Sequence, residues 1–322
     1  MTVLLIGNGL GPGYYHLAGL WRRELSFSDK WNHLGGSAYN RAVNRLNPVS
    51  SRSFSQHKFV EKAILQQLHV PCMTFAGYIS VDNGVDANGA PLRSAEDFRL
   101  LLLELAWTEI CIKPVHGYGG KGFAALDILI VKRTVQVREM GTTTILSADD
   151  YWHSKIQPNR HQGLMLEAFI QQHPDYKRFN PSSVNTLRLW LRRFPDGRSS
   201  VCLGYLRVGR RGSLVDNQSS GGIVVPVDLT SGKLANGLCG TPQRREYATH
   251  PDHNAPLQDE YLSRLDEAQA LALRCFNLFP GLNFVGVDVA MTTEGPVMVE
   301  LNASPDRQGS AFVDKPSAPI LN

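Results

Sequence analysis

Val285-Gly-Val-Asp288-Val-Ala-Met-Thr-Thr-Glu-Gly-Pro-Val-Met-Val-Glu300-Leu-Asn302-Ala-Ser-Pro305 holds two alternating apolar runs around a Thr-Thr-Glu-Gly-Pro break. That is the pattern of a β-hairpin. A five-residue connection, Thr292 to Pro296, sets Met291 opposite Val297, Val289 opposite Val299 and Val287 opposite Leu301. These apolar side chains then share one face. The other face receives Gly286 with Asn302, Asp288 with Glu300, and Ala290 with Met298. A four-residue connection would separate the two acids, because a one-residue slip flips every side chain. The apolar pattern therefore selects the register that joins the carboxylates. Unpaired they repel, and a divalent cation between them reverses the sign. Oxygens from Asp, Glu and Asn suit Mg²⁺ or Mn²⁺ rather than zinc. The plainer reading is a hairpin with one solvated face.

The chain has 322 residues, 43% hydrophobic and 19% charged, which is room for one large or two or three modest domains. Its formal charge of +4, with no Lys/Arg block, fits a pocket for anions at least as well as a nucleic-acid surface. Cys72, Cys111, Cys202, Cys239 and Cys275 are dispersed without a Cys-x-x-Cys pair, as expected of reduced core thiols in a cytoplasmic protein. No stretch has the cationic start of a signal peptide or the length to span a bilayer.

Leu4-Leu5-Ile6 before Gly7, Gly9, Gly11 and Gly13 reads as a strand entering a glycine loop. Pro12 stands where a dinucleotide fingerprint counted from Gly7 needs its third glycine. Trp21 to Asn47 has loose helical spacing and stops at Pro48. Ser53 to Leu68 reads as an amphipathic helix with Phe59, Ala63, Leu65 and Leu68 inward and Ser55 as cap. Lys58 falls in its first turn, where the helix dipole disfavours a cation, so it reads as a placed charge or a surface lysine. Val70 to Phe75 enters a strand, Asp82 to Pro91 reads as loop, and Ser94-Ala-Glu-Asp97 is a capping box for a helix over 98–107.

Glu109-Ile-Cys-Ile-Lys113-Pro-Val-His-Gly117-Tyr-Gly119-Gly120-Lys121-Gly122 puts a lysine at a strand end before a loop of four glycines. Such a loop lets backbone N–H groups approach an anion, with Lys113 and Lys121 adding charge. It is not a Walker A motif, since Val115 and Gly122 break both ends; a plain strand-turn-strand is the alternative. Strands over 127–132 and 134–140 and a helix over 148–156 precede Gly163-Leu-Met-Leu-Glu167-Ala-Phe169-Ile170-Gln-Gln-His173-Pro, an apolar run with one acid. Then come a strand carrying Arg188, a strand over 200–208 carrying Arg207, a glycine-hinged strand entry over 216–227, and a helix over 259–279.

Lys58, Lys113 with its glycine loop, Glu167, and Asp288 with Glu300-x-Asn302 follow one another in the order of the ATP-grasp superfamily, which this sequence resembles from about Lys58 to Pro305. Gln-His173-Pro, Ser-Val-Asn185-Thr-Leu-Arg188 and Asn217-Gln-Ser-Ser-Gly-Gly222 are similar to its sugar-transfer-associated branch, a relative of the RimK-like glutamate ligases. The resemblance implies an α+β ATP-grasp fold: two lobes, 58–166 and 167–322, clamping ATP behind a short segment, 1–57. It places Lys58 and Lys113 on the phosphates, with Gly119, Gly120 and Lys121 in a lid over them. Glu167, Phe169 and Ile170 would read the adenine, and His173 would lie near the ribose or be structural. Asp288, Glu300 and Asn302 would hold two Mg²⁺ ions, with Mn²⁺ an alternative. Arg188 would face the transferring phosphoryl group and Arg207 the acceptor. Two departures stand out. The leading segment is short, and Gly286 and Val287 stand where many ligases have an arginine before the first metal acid. The implied activity is a biosynthetic ligase that joins a small-molecule carboxylate to an amine or thiol, with neither nucleic acid nor membrane as partner. A kinase on the same scaffold is the first alternative, and a nucleotide- or nucleic-acid-binding protein without turnover the second.

Overall fold

A computed structural model describes every residue except Phe54, Tyr118, Thr241 and Pro242; Phe54 of the expected helix and Tyr118 of the expected lid thus lie outside the described residues. Two seven-stranded sheets organise the chain. The first contains β1 (Phe75–Ile79), β2 (Gly84–Asp86), β3 (Glu109–Pro114), β4 (Ala124–Val131), β5 (Thr134–Glu139), β6 (Ile145–Ser147) and β7 (Leu164–Ala168), in the order β2-β1-β7-β3-β4-β5-β6. The second contains β8 (Leu187–Arg193), β9 (Ser199–Val208), β10 (Ile223–Pro226), β11 (Gly237–Cys239), β12 (Arg245–Tyr247), β13 (Phe284–Met291) and β14 (Pro296–Asn302), in the order β12-β11-β10-β9-β8-β13-β14.

Each sheet packs its own core. Phe98, Ile110, Leu126 and Trp152 lie under the first, and Leu189, Val225, Phe276 and Val287 under the second. A further cluster of Tyr39, Trp190, Phe284 and Phe312 covers the back of the second sheet. Because β13 is covered on both faces, all of its residues are buried, and Asp288 is its one charge.

The hairpin does join Asp288 to Glu300, by a different route from the expected one. The connection is four residues, with Met291 opposite Pro296, Ala290 opposite Val297 and Val289 opposite Met298. A β-bulge then absorbs Val299, and the ladder resumes with Asp288 opposite Glu300, Val287 opposite Leu301 and Gly286 opposite Asn302. Met298 consequently fills the core that the simple alternation gave to Val299. Val299 turns with Glu300 toward the space between the sheets.

At the N-terminus Leu4, Leu5 and Ile6 lie in a helix, Thr2–Asn8, rather than a strand. Gly9 ends it in the left-handed conformation (φ 63°), its N–H bonding back to the Leu5 carbonyl and the Leu10 N–H to that of Leu4. Only Leu4 of that run enters a core, beside Leu10, Tyr14 and Ala18, so the run lacks the two-sided cover of an interior strand. Helix Gly36–Leu46 buries Tyr39, Ala42, Val43 and Leu46 against the second sheet. Asn47 fastens it, accepting from Asn283 N (2.8 Å) and donating to Ala303 O (2.6 Å).

His33 is 3% exposed in this segment, with Nδ1 3.1 Å from the Tyr14 hydroxyl. Burial holds its pKa down at about 4, against 6.5 when unfolded. The unfolded chain therefore binds the extra proton between those values, and stability falls as pH drops from 6.5 toward 4. We expect the fall in urea midpoint between pH 7 and pH 4.5 to be smaller in His33→Gln than in the wild type; equal slopes would show that His33 plays no part.

The Ser94 capping box forms with both reciprocal bonds, but its helix is Ala95–Glu104. β2 arises within the expected 82–91 loop, pairing with β1. The expected helix over 148–156 is α-helical to Tyr151 and continues as a π-turn, and that over 259–279 contracts to Leu265–Asn277. Two short helices, Gln308–Phe312 and Ala318–Leu321, order the tail.

The largest difference is in the helix Lys58–Gln67. His57 is its N-cap residue, Ser55 bonds Arg52 O instead, and Ala63 and Leu68 are exposed. Its buried residues are Glu61, Lys62 and Leu65. Leu65 joins the second core, while Lys62 is buried against Glu167 and Glu61 against the Leu301 N–H.

Candidate active site

Lys113, at the end of β3, and Glu167, on the adjacent β7, form one wall of this cleft. Lys113 Nζ lies 2.5 Å from Glu167 Oε1, and Lys62 Nζ 3.0 Å from Oε2. Burial would push the Glu167 carboxyl up, but the two lysines outweigh it and hold it below its usual value. The Lys113 ammonium resists its own burial for the same reason, its pKa raised by Glu167. This triad carries one net positive charge. The Glu167 side chain, expected at the adenine, is thus already engaged on both oxygens, while Phe169 and Ile170 line the cleft. Lys62 was not singled out in the sequence.

The glycine loop closes the cleft from above. Gly119, Gly120 and Gly122 have positive φ of 66°, 73° and 73°. A Cβ on Gly120 would stand 2.8 Å from Asn217 Oδ1 and 2.9 Å from Val215 Cγ1, so the loop of the first sheet rests against the 215–219 turn of the second. Lys58 Nζ donates to Gly117 O from below, and Lys121 lines the same cleft. Closed in this way, the cleft measures about 150 Å³. Small-molecule pockets usually offer about 300–1,000 Å³, so a nucleotide requires the loop to lift.

On the opposite wall Asp288 is 3% exposed and accepts from two arginines. Arg188, its cross-strand neighbour on β8, donates from Nε and from Nη2 (2.8 Å), and Arg207 from Nη1 (2.9 Å). Arg207 Nη2 also meets Asp216 Oδ1 at 2.7 Å, and the other Asp216 oxygen accepts from Thr186 N. Burial would raise the Asp288 carboxyl, but the two guanidinium groups hold it down; for Asp216 burial wins and the pKa rises. Arg188 does not line the cleft: its guanidinium is spent on Asp288. Its side chain fills the space above Gly286, where a Cβ would lie 3.3 Å from Arg188 Cδ.

Glu300 is more accessible, with Oε1 3.0 Å from Lys58 Nζ. Glu61 accepts the Leu301 N–H at 2.9 Å. Burial, with Glu300 nearby, raises its pKa to about 8, so it is protonated near neutral pH. Asn302 lies two residues beyond and does not line the cleft, its amide nitrogen buried without a partner. His173 is away from the cleft: it caps the helix Pro174–Lys177, its Nδ1 accepting from Asp175 N at 3.2 Å.

Among the described residues no three His, Cys, Asp or Glu side chains gather as a metal site. Magnesium does not need such a cage, since it commonly takes one or two carboxylates and fills its shell with phosphate oxygens and water. The second Glu300 oxygen and a remaining lone pair on Asp288 Oδ1 fit that role. The orphaned Asn302 atom is the amide nitrogen, a donor that binds no cation, so Asn302 would join such a site only through its carbonyl oxygen. Lys58, Lys62, Lys113, Lys121, Arg188 and Arg207 outnumber the carboxylates of Glu167, Asp216, Asp288 and Glu300 in and around the cleft.

The sugar-transfer-associated ATP-grasp family model matches residues 39–318, and the chain belongs to that family. The two α+β lobes are those of the ATP-grasp fold. No curated protein matches the sequence. Among solved structures the chain is similar to D-alanine–D-alanine ligase from Coxiella burnetii, at 10% identity over 80% of this chain and 50% of that one, with a TM-score of 0.43. It is also similar to carboxyaminoimidazole ribonucleotide synthase from Aspergillus clavatus complexed with ATP, at 13% identity over 90% of this chain and 58% of that one, with a TM-score of 0.48. N5-carboxyaminoimidazole synthetase from Staphylococcus aureus complexed with ADP matches at 10% identity over 86% and 54%, with a TM-score of 0.47. This chain therefore spans between half and three-fifths of their length. Among the described residues no helix is long and apolar enough to cross a membrane.

Proposed function

We propose that the chain is an ATP-dependent ligase that activates a small-molecule carboxylate for attack by an amine or thiol. The observation that carries this reading is the convergence of Lys58, Lys113 and Arg207 with Asp288 and Glu300 on one cleft beneath a glycine loop. The carboxylate oxygen takes the γ-phosphoryl group and ADP leaves; the nucleophile then attacks the acyl carbon and phosphate departs. Lys113 and Lys58 exchange their internal partners for phosphate oxygens, and the loop over them excludes water. Val299, Phe169 and Ile170 supply apolar contact for the base. Arg207 lies on the cleft side of Asp288, where it faces the charge that develops on transfer. Mg²⁺ held by Asp288, Glu300 and Asn302 would neutralise the phosphates.

The test is ADP release from Mg·ATP with a metabolite pool, followed by mass spectrometry of the product. Equimolar free phosphate, released only when both acceptors are present, is the expected result. ADP without free phosphate would replace the ligase by a kinase. Nucleotide binding that yields no ADP and weakens steeply with salt would replace it by a binding protein.

Closure of the loop gives a separate expectation. Gly120→Ala would add roughly 1–2 kcal/mol of backbone strain at a left-handed position, and its Cβ would meet Asn217 and Val215. Turnover should fall about tenfold or more while the strain lowers the melting temperature by about 2–8 °C, and an unchanged rate would argue that the loop does not close during the reaction.

A further inference from the structure

A second cavity, of about 400 Å³, lies across the 216–222 turn from the nucleotide cleft. Asn217 lines the cleft, whereas Gln218 and Gly222 line this cavity. The turn is tight: a Cβ on Gly222 would lie 2.3 Å from Asp216 O. The far walls are Gly13 and Tyr14 from the N-terminal segment and Arg307 and Gln308 from the tail. Arg307 follows Asn302 by five residues, so the chain that leaves the metal strand enters this wall directly.

Arg307 stacks over the Tyr14 ring, its Cζ 4.2 Å from the centroid, and donates to Leu34 O at 3.3 Å. Its neighbour Asp306 turns back onto the Gln308 N–H at 3.0 Å instead of pairing with it. Among the described residues no carboxylate lies within ion-pair distance of Arg307. The helix Gly36–Leu46 begins beside it, a Cβ on Gly36 falling 3.8 Å from Arg307 Cζ. That helix start has no side-chain cap and no acid in its first turn. The helix start does not itself line the cavity, so the positive charge on this wall is the Arg307 guanidinium, which an oxyanion stabilises.

We propose that this cavity holds the second substrate of the reaction, and that this substrate carries an oxyanion, a carboxylate or a phosphate ester, bound by Arg307. Because a protein turn separates Arg307 from Asp288, the anchored oxyanion is distinct from the group that reacts in the cleft. The substrate is thus a small molecule with two functional ends. The assignment rests on the ligase reading for the words second substrate, but not for the anion site itself.

Calorimetry with D-glucuronate and with glucose 1-phosphate, each in the presence of Mg·ADP, tests it. One probe should bind the wild type, glucuronate indicating a carboxylate site and glucose 1-phosphate a phosphate-ester site. Arg307→Met should weaken that binding tenfold or more. Gly13→Leu should abolish it by filling the cavity, since a Cβ there meets nothing within 4 Å and the fold is spared. Mg·ADP should bind all three proteins alike. Failure of both probes on the wild type, or unchanged binding by either variant, overturns the cavity assignment. A wild type that binds a probe but no Mg·ADP would instead sink the nucleotide reading and leave the anion site standing.

Discussion

Glu300→Gln is expected to lower Mg²⁺-dependent ADP release severely and to leave the fold intact. The side chain retains 31% exposure, and its ion pair is with Lys58, so the protein loses little when the charge goes. Exposed and half-exposed pairs contribute about 0–1 kcal/mol. The amide keeps the volume and one oxygen but loses the charge that a divalent cation needs beside the phosphates. A loss of roughly a hundred- to a thousandfold is the expected scale for removing one fixed electrostatic contact to developing charge. ADP release at saturating Mg·ATP, with a thermal melt of the same sample, reads both halves. Near-normal turnover would remove Glu300 from the metal site.

Asp288→Asn should behave differently, losing stability as well as turnover. Here the carboxylate is buried and satisfies two guanidinium groups at once. Replacing it leaves Arg188 without a charged partner and Arg207 with Asp216 alone. Removing one partner of a buried pair costs about 3–5 kcal/mol. Urea unfolding of the two variants side by side decides the matter. A loss below about 1 kcal/mol in Asp288→Asn would mean that water screens the cluster far better than its burial indicates.

Much of this site was legible where one physical pattern dominates. A buried strand ending in Lys113, glycines that tolerate positive φ, and the Ser94 box each depend on neighbours close in sequence. The pairing of Asp288 with Glu300 was reached, although through a five-residue turn where the chain uses four and a bulge. Periodicity cannot see a bulge, because it assumes that alternation is never interrupted.

Glu61 and Lys62 escaped for a related reason. An amphipathic reading sends charge outward, yet their partners, the Leu301 N–H and Glu167, arrive from distant parts of the chain. Leu4 to Ile6 misled through local β preference, which tertiary context overrode. Asp216 lay hidden beside a glycine turn, and its tie to Arg207 exists only after β9 and β10 have paired. His173, in turn, serves the backbone of its own short helix.

The extra residue in β14 has one more effect. A regular strand must send consecutive side chains to opposite sides, so it can offer one ligand only every other residue. With the bulge, Val299 and Glu300 both look into the cleft, and grease and charge sit next to each other on a single rigid support. Deleting Val299 would restore strict alternation at no cost in length elsewhere, and would leave this strand able to greet only one end of a ligand that has two.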